Sequence, residues 1–398
     1  MLDASDVYLA SATNTAVVKA GFATLGQGSL FLSAGFMGLF IGSILAGFLG
    51  DKFGRNKVYS LNLFVFGLFT LLAGFAPNIT MLTLLRFIAS LGMGAEIVTA
   101  FALVNEFAPV LHRGRWAGGA SVVGNLGSPL GLLLCTLLIP RYSWRAPFFV
   151  VGVLALLLWG LRFNNFPESP RWLMSQGRYD EAEKLVKQLE VRGTYTTKNN
   201  SSESKRVTTS LARGLFVGVV AAVVTTLAQF TFTSWVPTLL VKRGIDVAHS
   251  FMLSTVMMVG APVGAFLGAM LVDWAGRKKT IVVGFMLTAL LGVTFAYQTT
   301  NFMVMLVGFL LTLCMYAMNA SILSVYVPEL FQTKFRFRGE GYSAGAGKLA
   351  AVLMPSFVVW TLTNFGPTYV FFGIAVLTIL GAVVVGLFGP ETKQRPVE

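Results

Sequence analysis

Five ionisable residues of this 398-residue chain stand inside otherwise apolar stretches: Asp3 and Asp6 in "MLDASDVYLASATN", Arg86 and Glu96 in "RFIASLGMGAE", and Lys348 in "GYSAGAGKLAAVLMP". If those stretches lie in lipid, each charge costs at least about 2.5–3.5 kcal/mol, which marks its bearer as a candidate for function. The chemistry open to them is acid–base and ionic. A carboxyl held beside a cation stays ionised, and one isolated in a dry cavity takes up a proton. Glu96 follows Arg86 by ten residues, nearly three turns, and so lies close to the same helical face. There it can share proton work or, protonated, hydrogen-bond a substrate. Lys348 can attract a carboxylate, or it can extend its stem to the membrane surface. Gln229, Thr233 and Trp235 of "LAQFTFTSW", with Asn125, Tyr316 and Asn319, are neutral groups able to hydrogen-bond a solute at mid-depth. Each can equally stitch helices together.

The elements that must position these residues follow from composition. Hydrophobic residues make up 55% of the chain and charged ones 12%, about half the charged share of a soluble globular protein. Apolar stretches near or above the roughly 20 residues that cross a bilayer fall at 28–49, 58–76, 79–105, 116–139, 146–166, 211–240, 249–272, 280–298, 302–327, 341–363 and 367–389. They are too long, and too free of alternation, for barrel strands, so helices must satisfy their backbone groups in lipid.

The net charge of +13 reports topology, not a nucleic-acid partner. With the loops numbered alternately by side, one side collects Lys52, Arg55, Lys57, Arg113, Arg115, every basic residue from Arg162 to Arg213, Arg277–Lys279, Lys334, Arg336, Arg338, Lys393 and Arg395. The other holds only Lys19, Arg141, Arg145, Lys242 and Arg243. The positive-inside rule makes the rich side cytoplasmic, with the linker and the C-terminus on it. Cys135 and Cys314 lie in apolar spans and read as small packing residues. His112 and His249 stand at loop edges, and no nucleotide-binding glycine loop, metal cluster or cofactor motif is present, so the sequence does not read as an enzyme.

A repeat runs through the chain. Asp51, Gly54, Arg55 and Lys57 of "GDKFGRNK" recur 222 positions on as Asp273, Gly276, Arg277 and Lys279. "PES" at 167–169 returns as "PET" at 390–392, and Glu106 finds its echo in Glu329. A fixed offset between ordered markers signals duplication. The expected organisation is an N-terminal six-helix bundle over 1–166, a linker over 167–210, a C-terminal six-helix bundle over 211–390 and a tail at 391–398. Register puts the start of the first span about twelve positions before Met1, so the opening helix is expected to be cut short, with twelve spans in all. In the linker, "GRYDEAEKLVKQLE" has the spacing of a short amphipathic helix, with acids early where the helix dipole favours them. "RGTYTTKNNSSESKR" is too poor in apolar residues to pack.

These motifs resemble the major facilitator superfamily, in its branch of sugar porters and related metabolite:proton symporters. "GFLGDKFGRNK" is similar to that superfamily's signature between the second and third helices, and "PESPRWL" with "PET" to the sugar-porter pair. "RFIASLGMGAE" followed by "NEFAPVLHRGR" resembles the fourth-helix pattern, with Glu96 where organic-acid porters often carry an acid. The resemblance implies an all-α polytopic fold of two pseudo-symmetric six-helix bundles and alternating access without ATP. It places Asp6 as the proton-coupling acid and Arg86 as its partner, with Glu96 and Asp3 as further members. A static structural ion pair is the alternative.

By the same resemblance the loop knots are gate latches, Asp51, Arg55 and Arg115 forming one and Asp273, Arg277 and Arg338 the other. Glu106, Glu168, Arg171, Glu329 and Glu391 would be latch members at helix ends. Topology anchors are the alternative reading. Gln229 falls opposite Asp6 in register, but the sugar porters' glutamine pair followed by an asparagine is missing from helix seven, which favours an organic anion over a sugar. "GNLGSPLG" partly resembles an exporter pattern. That match is incomplete and "PESPRW" is present, so uptake by proton symport is expected, with a facilitator, an exporter or a transport-inactive nutrient sensor on the same fold as alternatives. The expected setting is a monomer in the plasma (inner) membrane, with a small solute, a proton and lipid as partners.

Overall fold

The structure, a computed structural model, describes residues 1–107, 113–162, 168, 170–191, 210–331 and 335–392, which form helices and no strand. The first half contains α1 (Leu2–Lys19), α2 (Leu25–Phe53), α3 (Arg55–Ala73), α4 (Ile79–Phe107), α5 (Arg113–Asn125), α6 (Gly127–Leu138) and α7 (Ala146–Arg162). Two short helices follow, α8 (Pro170–Ser175) and α9 (Tyr179–Val191). The second half contains α10 (Leu211–Lys242), α11 (Val247–Met258), α12 (Gly260–Ala275), α13 (Arg277–Ala296), α14 (Asn301–Ser321), α15 (Val327–Glu329), α16 (Arg336–Asn364) and α17 (Pro367–Phe388).

Several of these pieces are segments of one rod. Leu126 and Val259 keep helical dihedrals, so α5 runs on into α6 and α11 into α12. A π-helical turn, Ile322–Tyr326, joins α14 to α15. Its cause is Pro328, whose ring cannot sit against the carbonyl four residues back without widening the turn. Counted this way, the described helices outside α8 and α9 make six rods in each half.

Ten rods are long and apolar enough to cross a membrane; α7, at 17 residues, is shorter, and α1 is too polar. That polarity is informative. Ser5, Asp6, Ser11, Thr13, Asn14 and Thr15 of α1 are all buried, walled by α2, α6, α7 and α10. A helix so polar survives in a bilayer only when other rods cover it. Conversely, Leu157, Leu161, Leu290, Leu353 and Leu387 are exposed on the outer rods. Apolar surface on this scale is a liability in water and a requirement in lipid. The protein is a multi-pass membrane protein.

The halves are built alike where rods pack closest. A Cβ on Gly38 of α2 would lie 2.5 Å from the Phe87 carbonyl of α4, and one on Gly260 of α12 2.6 Å from the Phe309 carbonyl of α14. One turn on, Gly42 faces the Leu91 carbonyl and Gly264 the Leu313 carbonyl more tightly still. Small residues four apart let helix backbones touch where lipid provides no hydrophobic drive. Between the halves runs a seam in which α1 packs on α10, α2 on α16, α6 on α11 and α5 on α12. In the linker, α9 covers most of the expected amphipathic segment and buries Ala182 beside Leu173 of α8. The unpacked segment expected at 192–206 lies outside the described residues.

Candidate functional site

Four of the five ionisable residues, Asp3, Asp6, Arg86 and Glu96, converge on the first half's side of the seam. Arg86, buried on α4, donates through Nη1 to Oδ2 of the fully buried Asp6 on α1. Its Nη2 lies 3.5 Å from the Asp6 carbonyl. One turn nearer the start of α1, Asp3 faces Glu96 of α4, and the Tyr59 hydroxyl of α3 donates to Glu96 Oε1 at 3.1 Å. The guanidinium of Arg162, at the end of α7, sits 3.9 Å over the Tyr59 ring. A ladder of acids and cations thus climbs α1 and α4 from the basic end of the bundle to mid-depth.

At the seam itself the hydrogen-bonding groups are neutral, Lys348 apart. The hydroxyls of Tyr8 on α1 and Tyr316 on α14 hydrogen-bond to each other, bracketed by Ser128, Gln229 and Thr233. Thr233 donates to the Gln229 carbonyl at 2.9 Å, so its hydroxyl is bonded within α10. Trp235 is wholly buried in the core. Asn125 donates to Ser121 within its own helix at 3.0 Å, and Asn319 lies half-buried one turn beyond Tyr316. Lys348 is half-buried on α16, with no ion pair among the described residues. Sequence reading named Tyr316 and Gln229 but missed Tyr8, Tyr59 and Arg162. The polarity of α1, which marks it as an inner helix, was the signal available for Tyr8.

At the end away from the basic loops, the seam is bonded shut. Ser11 donates to the Ser234 carbonyl at 2.6 Å, the Thr15 and Thr238 hydroxyls are 2.7 Å apart, and Ser33 donates to the Val352 carbonyl at 2.8 Å. Thr136 meets Thr255 at 3.2 Å, and the Phe36 and Phe230 rings pack at a tilt with centroids 4.8 Å apart.

The repeated knots form a matched pair at the basic end. Gly54 and Gly276 adopt φ of 100° and 95°, a left-handed backbone that glycine tolerates, and each opens the next helix. A glutamate from the end of the same half then caps that helix. Glu168 accepts the Asn56 N–H at 2.9 Å, and Glu391 accepts the N–H groups of Arg277 and Lys278 at 2.9 and 3.1 Å. Carboxylates there satisfy orphan donors and complement the helix dipole. Arg277 also grips Glu329 with a two-pronged pair, both bonds 3.0 Å, reinforced by Thr392. Arg338 is exposed on α16. The side chains of Asp51, Arg55, Glu106, Arg115, Arg171 and Asp273 lie outside the described residues.

Arg277 and Glu329 are only 13% and 15% exposed. Glu329→Leu should therefore take two charge-assisted hydrogen bonds from a largely buried guanidinium and cost about 3 kcal/mol, seen as a lower melting temperature of the purified protein. The double variant Glu329→Leu, Arg277→Met should recover most of it. A single variant melting like the parent would remove this pair as a structural clamp.

Comparison with known proteins agrees with this architecture. Residues 8–398 match the family described as sugar (and other) transporter. The inner membrane metabolite transport protein YdjE of Escherichia coli (strain K12) is 33% identical over 404 residues, covering 96% of this chain and 89% of that protein. The niacin transporter NiaP of Acinetobacter baylyi is 29% identical over 419 residues, covering 100% and 93%. Among solved structures, the major facilitator superfamily proton:xylose symporter XylE of E. coli, bound to 6-bromo-6-deoxy-D-glucose, aligns with a TM-score of 0.70 at 19% identity, covering 100% of this chain and 96% of that one. With family match and relatives in accord, this chain belongs to the sugar (and other) transporter family and is a metabolite transporter, not an enzyme.

Proposed function

We propose that the protein imports a small organic anion together with a proton, by alternating access between its two halves. The observation that carries this is the Asp6–Arg86 pair, buried where α1 meets α4 and two residues along α1 from the Tyr8–Tyr316 bridge. A buried ion pair is weak support for stability, because desolvating both charges offsets their attraction. As a switch it is well suited: movement of Arg86 away from Asp6 invites a proton, and return of Arg86 expels it. Asp3 and Glu96, with Tyr59, stand between this pair and the basic end and would pass the proton on. The positive-inside rule makes that end cytoplasmic.

The solute would sit between the halves, hydrogen-bonded by Tyr8, Gln229, Tyr316 and Asn319, with Lys348 as the cation that favours a carboxylate. Two further points support an anion. The relative NiaP is named for niacin, which is an aromatic carboxylate. Helix α10 offers Gln229 without the glutamine pair and asparagine of sugar porters. The proton is supported by XylE, a proton symporter on this fold.

A thermal-shift screen of sugars, aromatic carboxylates and dicarboxylates at pH 5.5 and 7.5 tests the substrate class. An aromatic monocarboxylate should raise the melting temperature more at the lower pH, and Lys348→Ala should weaken its binding by about tenfold, the equivalent of one ionic contact of roughly 1.4 kcal/mol. Stabilisation by neutral sugars alone would overturn the anion assignment.

A further inference from the structure

We propose that one buried water, held by Arg86, Ser90 and Ser234 in a space kept open by Gly35, ties the coupling arginine to the closed end of the seam. This rests on Asp6 and Arg86 being the proton-coupling pair. A cavity of about 10 Å³ lies against Arg86, lined by Ser234 of α10, Gly35 and Phe36 of α2, and Val7 of α1. That is room for a single water.

Two of the lining residues carry a side-chain atom with no hydrogen-bond partner among the described residues, Arg86 Nε and Ser234 Oγ, and so does Ser90, whose Oγ stands next to Gly35 at the edge of the cavity. Arg86, Ser234 and Ser90 are 4%, 1% and 0% exposed. A Cβ on Gly35 would stand 3.2 Å from Arg86 Nε and 3.6 Å from Ser90 Oγ, so the glycine leaves that side of the guanidinium open. A water accepting from the Nε–H and donating to the two hydroxyls would make three hydrogen bonds, the usual number for a buried water. It would also satisfy groups that are costly to leave unpaired.

The bridge crosses from one half to the other. Arg86 stands on α4, while Ser234 stands on α10 and accepts the Ser11 hydroxyl through its carbonyl at 2.6 Å, in the bonded end of the seam. Parting α1 from α10 there removes Ser234 and breaks the bridge. While the seam is closed, the bridge holds the Nε edge of Arg86, so that the opposite edge faces Asp6. Ser234 is thus a positioning residue that reports closure to the proton site. Of the titratable groups nearby, Asp6 of α1 faces Arg86 directly, and Cys135 of α6 lies beside Asp6. Asp3 and Glu96 lie further toward the basic end, and α2 and α10 bring none to the cavity wall.

The test uses the full chain in proteoliposomes, with Ser234→Ala, Ser234→Thr and Gly35→Ala, reading the pH of half-maximal uptake and the rate of substrate exchange. Freed from the bridge, Arg86 holds Asp6 ionised less firmly. Ser234→Ala and Gly35→Ala should therefore move the midpoint to higher pH by about half a unit, a roughly threefold change in proton affinity. Exchange should stay within about twofold of the parent, and Ser234→Thr, which keeps the hydroxyl, should keep the parent midpoint. Parent midpoints in Ser234→Ala would overturn the bridge. If Gly35→Ala does not fold, Ser234→Ala against Ser234→Thr decides alone. The Asp6→Asn variant separates the two failures. If it keeps proton-driven uptake, the coupling pair itself is wrong; if it loses uptake while Ser234→Ala behaves as the parent, only the water bridge is wrong.

Discussion

Asp6→Asn should hold the accumulation ratio of substrate at one under an inward proton gradient, while exchange of labelled for unlabelled substrate continues. Each pH unit of gradient supplies about 1.4 kcal/mol per proton, enough to sustain roughly tenfold accumulation. A carrier that binds no proton draws none of it. Asn is the informative replacement because its carbonyl still accepts from Arg86 Nη1, the bond Asp6 makes now, so that Arg86 is not left without a partner. Asp6→Leu would do that and would confuse coupling with stability, since breaking a buried pair costs about 3–5 kcal/mol. The measurement is uptake and counterflow in the same proteoliposomes. Loss of both activities, or of neither, would show that Asp6 does not couple protons. Arg86→Lys extends the test. It keeps the charge but not the planar fork, and it should slow transport without abolishing accumulation.

The second large effect concerns packing. Gly42→Val and Gly264→Val should each eliminate folded protein, and the loss should be equal in the two halves. A side chain at either site would run into a backbone carbonyl of the neighbouring rod, Leu91 or Leu313, and not into a side chain that can rotate away. Overpacking typically costs 1–3 kcal/mol when side chains can adjust. Here whole rods must separate along a line that also includes Gly38 and Gly260, so the expected cost is above about 3 kcal/mol, a large part of a typical stability of roughly 5–15 kcal/mol. Gly373→Ala on α17, where an added Cβ meets nothing within 4 Å, is the matched control and should express and elute as the parent does. Size-exclusion profiles of fluorescently tagged protein would decide. A monodisperse Gly264→Val peak at parental yield would show that α12 and α14 do not pack as described.

How much of this was legible in the chain differs from residue to residue. The paired knots were visible as a spacing of 222, and both glycines do open helices at positive φ. What the spacing could not say is what each knot touches. Arg277 was grouped with Asp273 and Arg338, and Glu329 and Glu391 were named only as further latch members at helix ends; the structure shows Arg277 bonded to Glu329 of α15 and to Glu391 from the segment beyond α17, while the side chain of Asp273 lies outside the described residues. Asn125 and Thr233 stood out only as polar residues in apolar spans; the structure adds that the Asn125 amide and the Thr233 hydroxyl each donate to a carbonyl of their own helix. Tyr8 was passed over because a tyrosine in a helix carries no charge to betray it, and its importance rests on Tyr316, 308 positions away.

The sequence by itself determined the number and apolarity of the spans, the side on which positive charge gathers, the duplication, and the short roster of charges that lipid would penalise. All of these depend on composition along the chain and on the cost of moving polar groups out of water. Only the tertiary structure decided which of those charges meet. That outcome turns on how each rod is rotated about its axis and which rods abut at the seam, and in lipid both are set by backbone contact at glycines and by hydrogen bonds between rods, not by hydropathy.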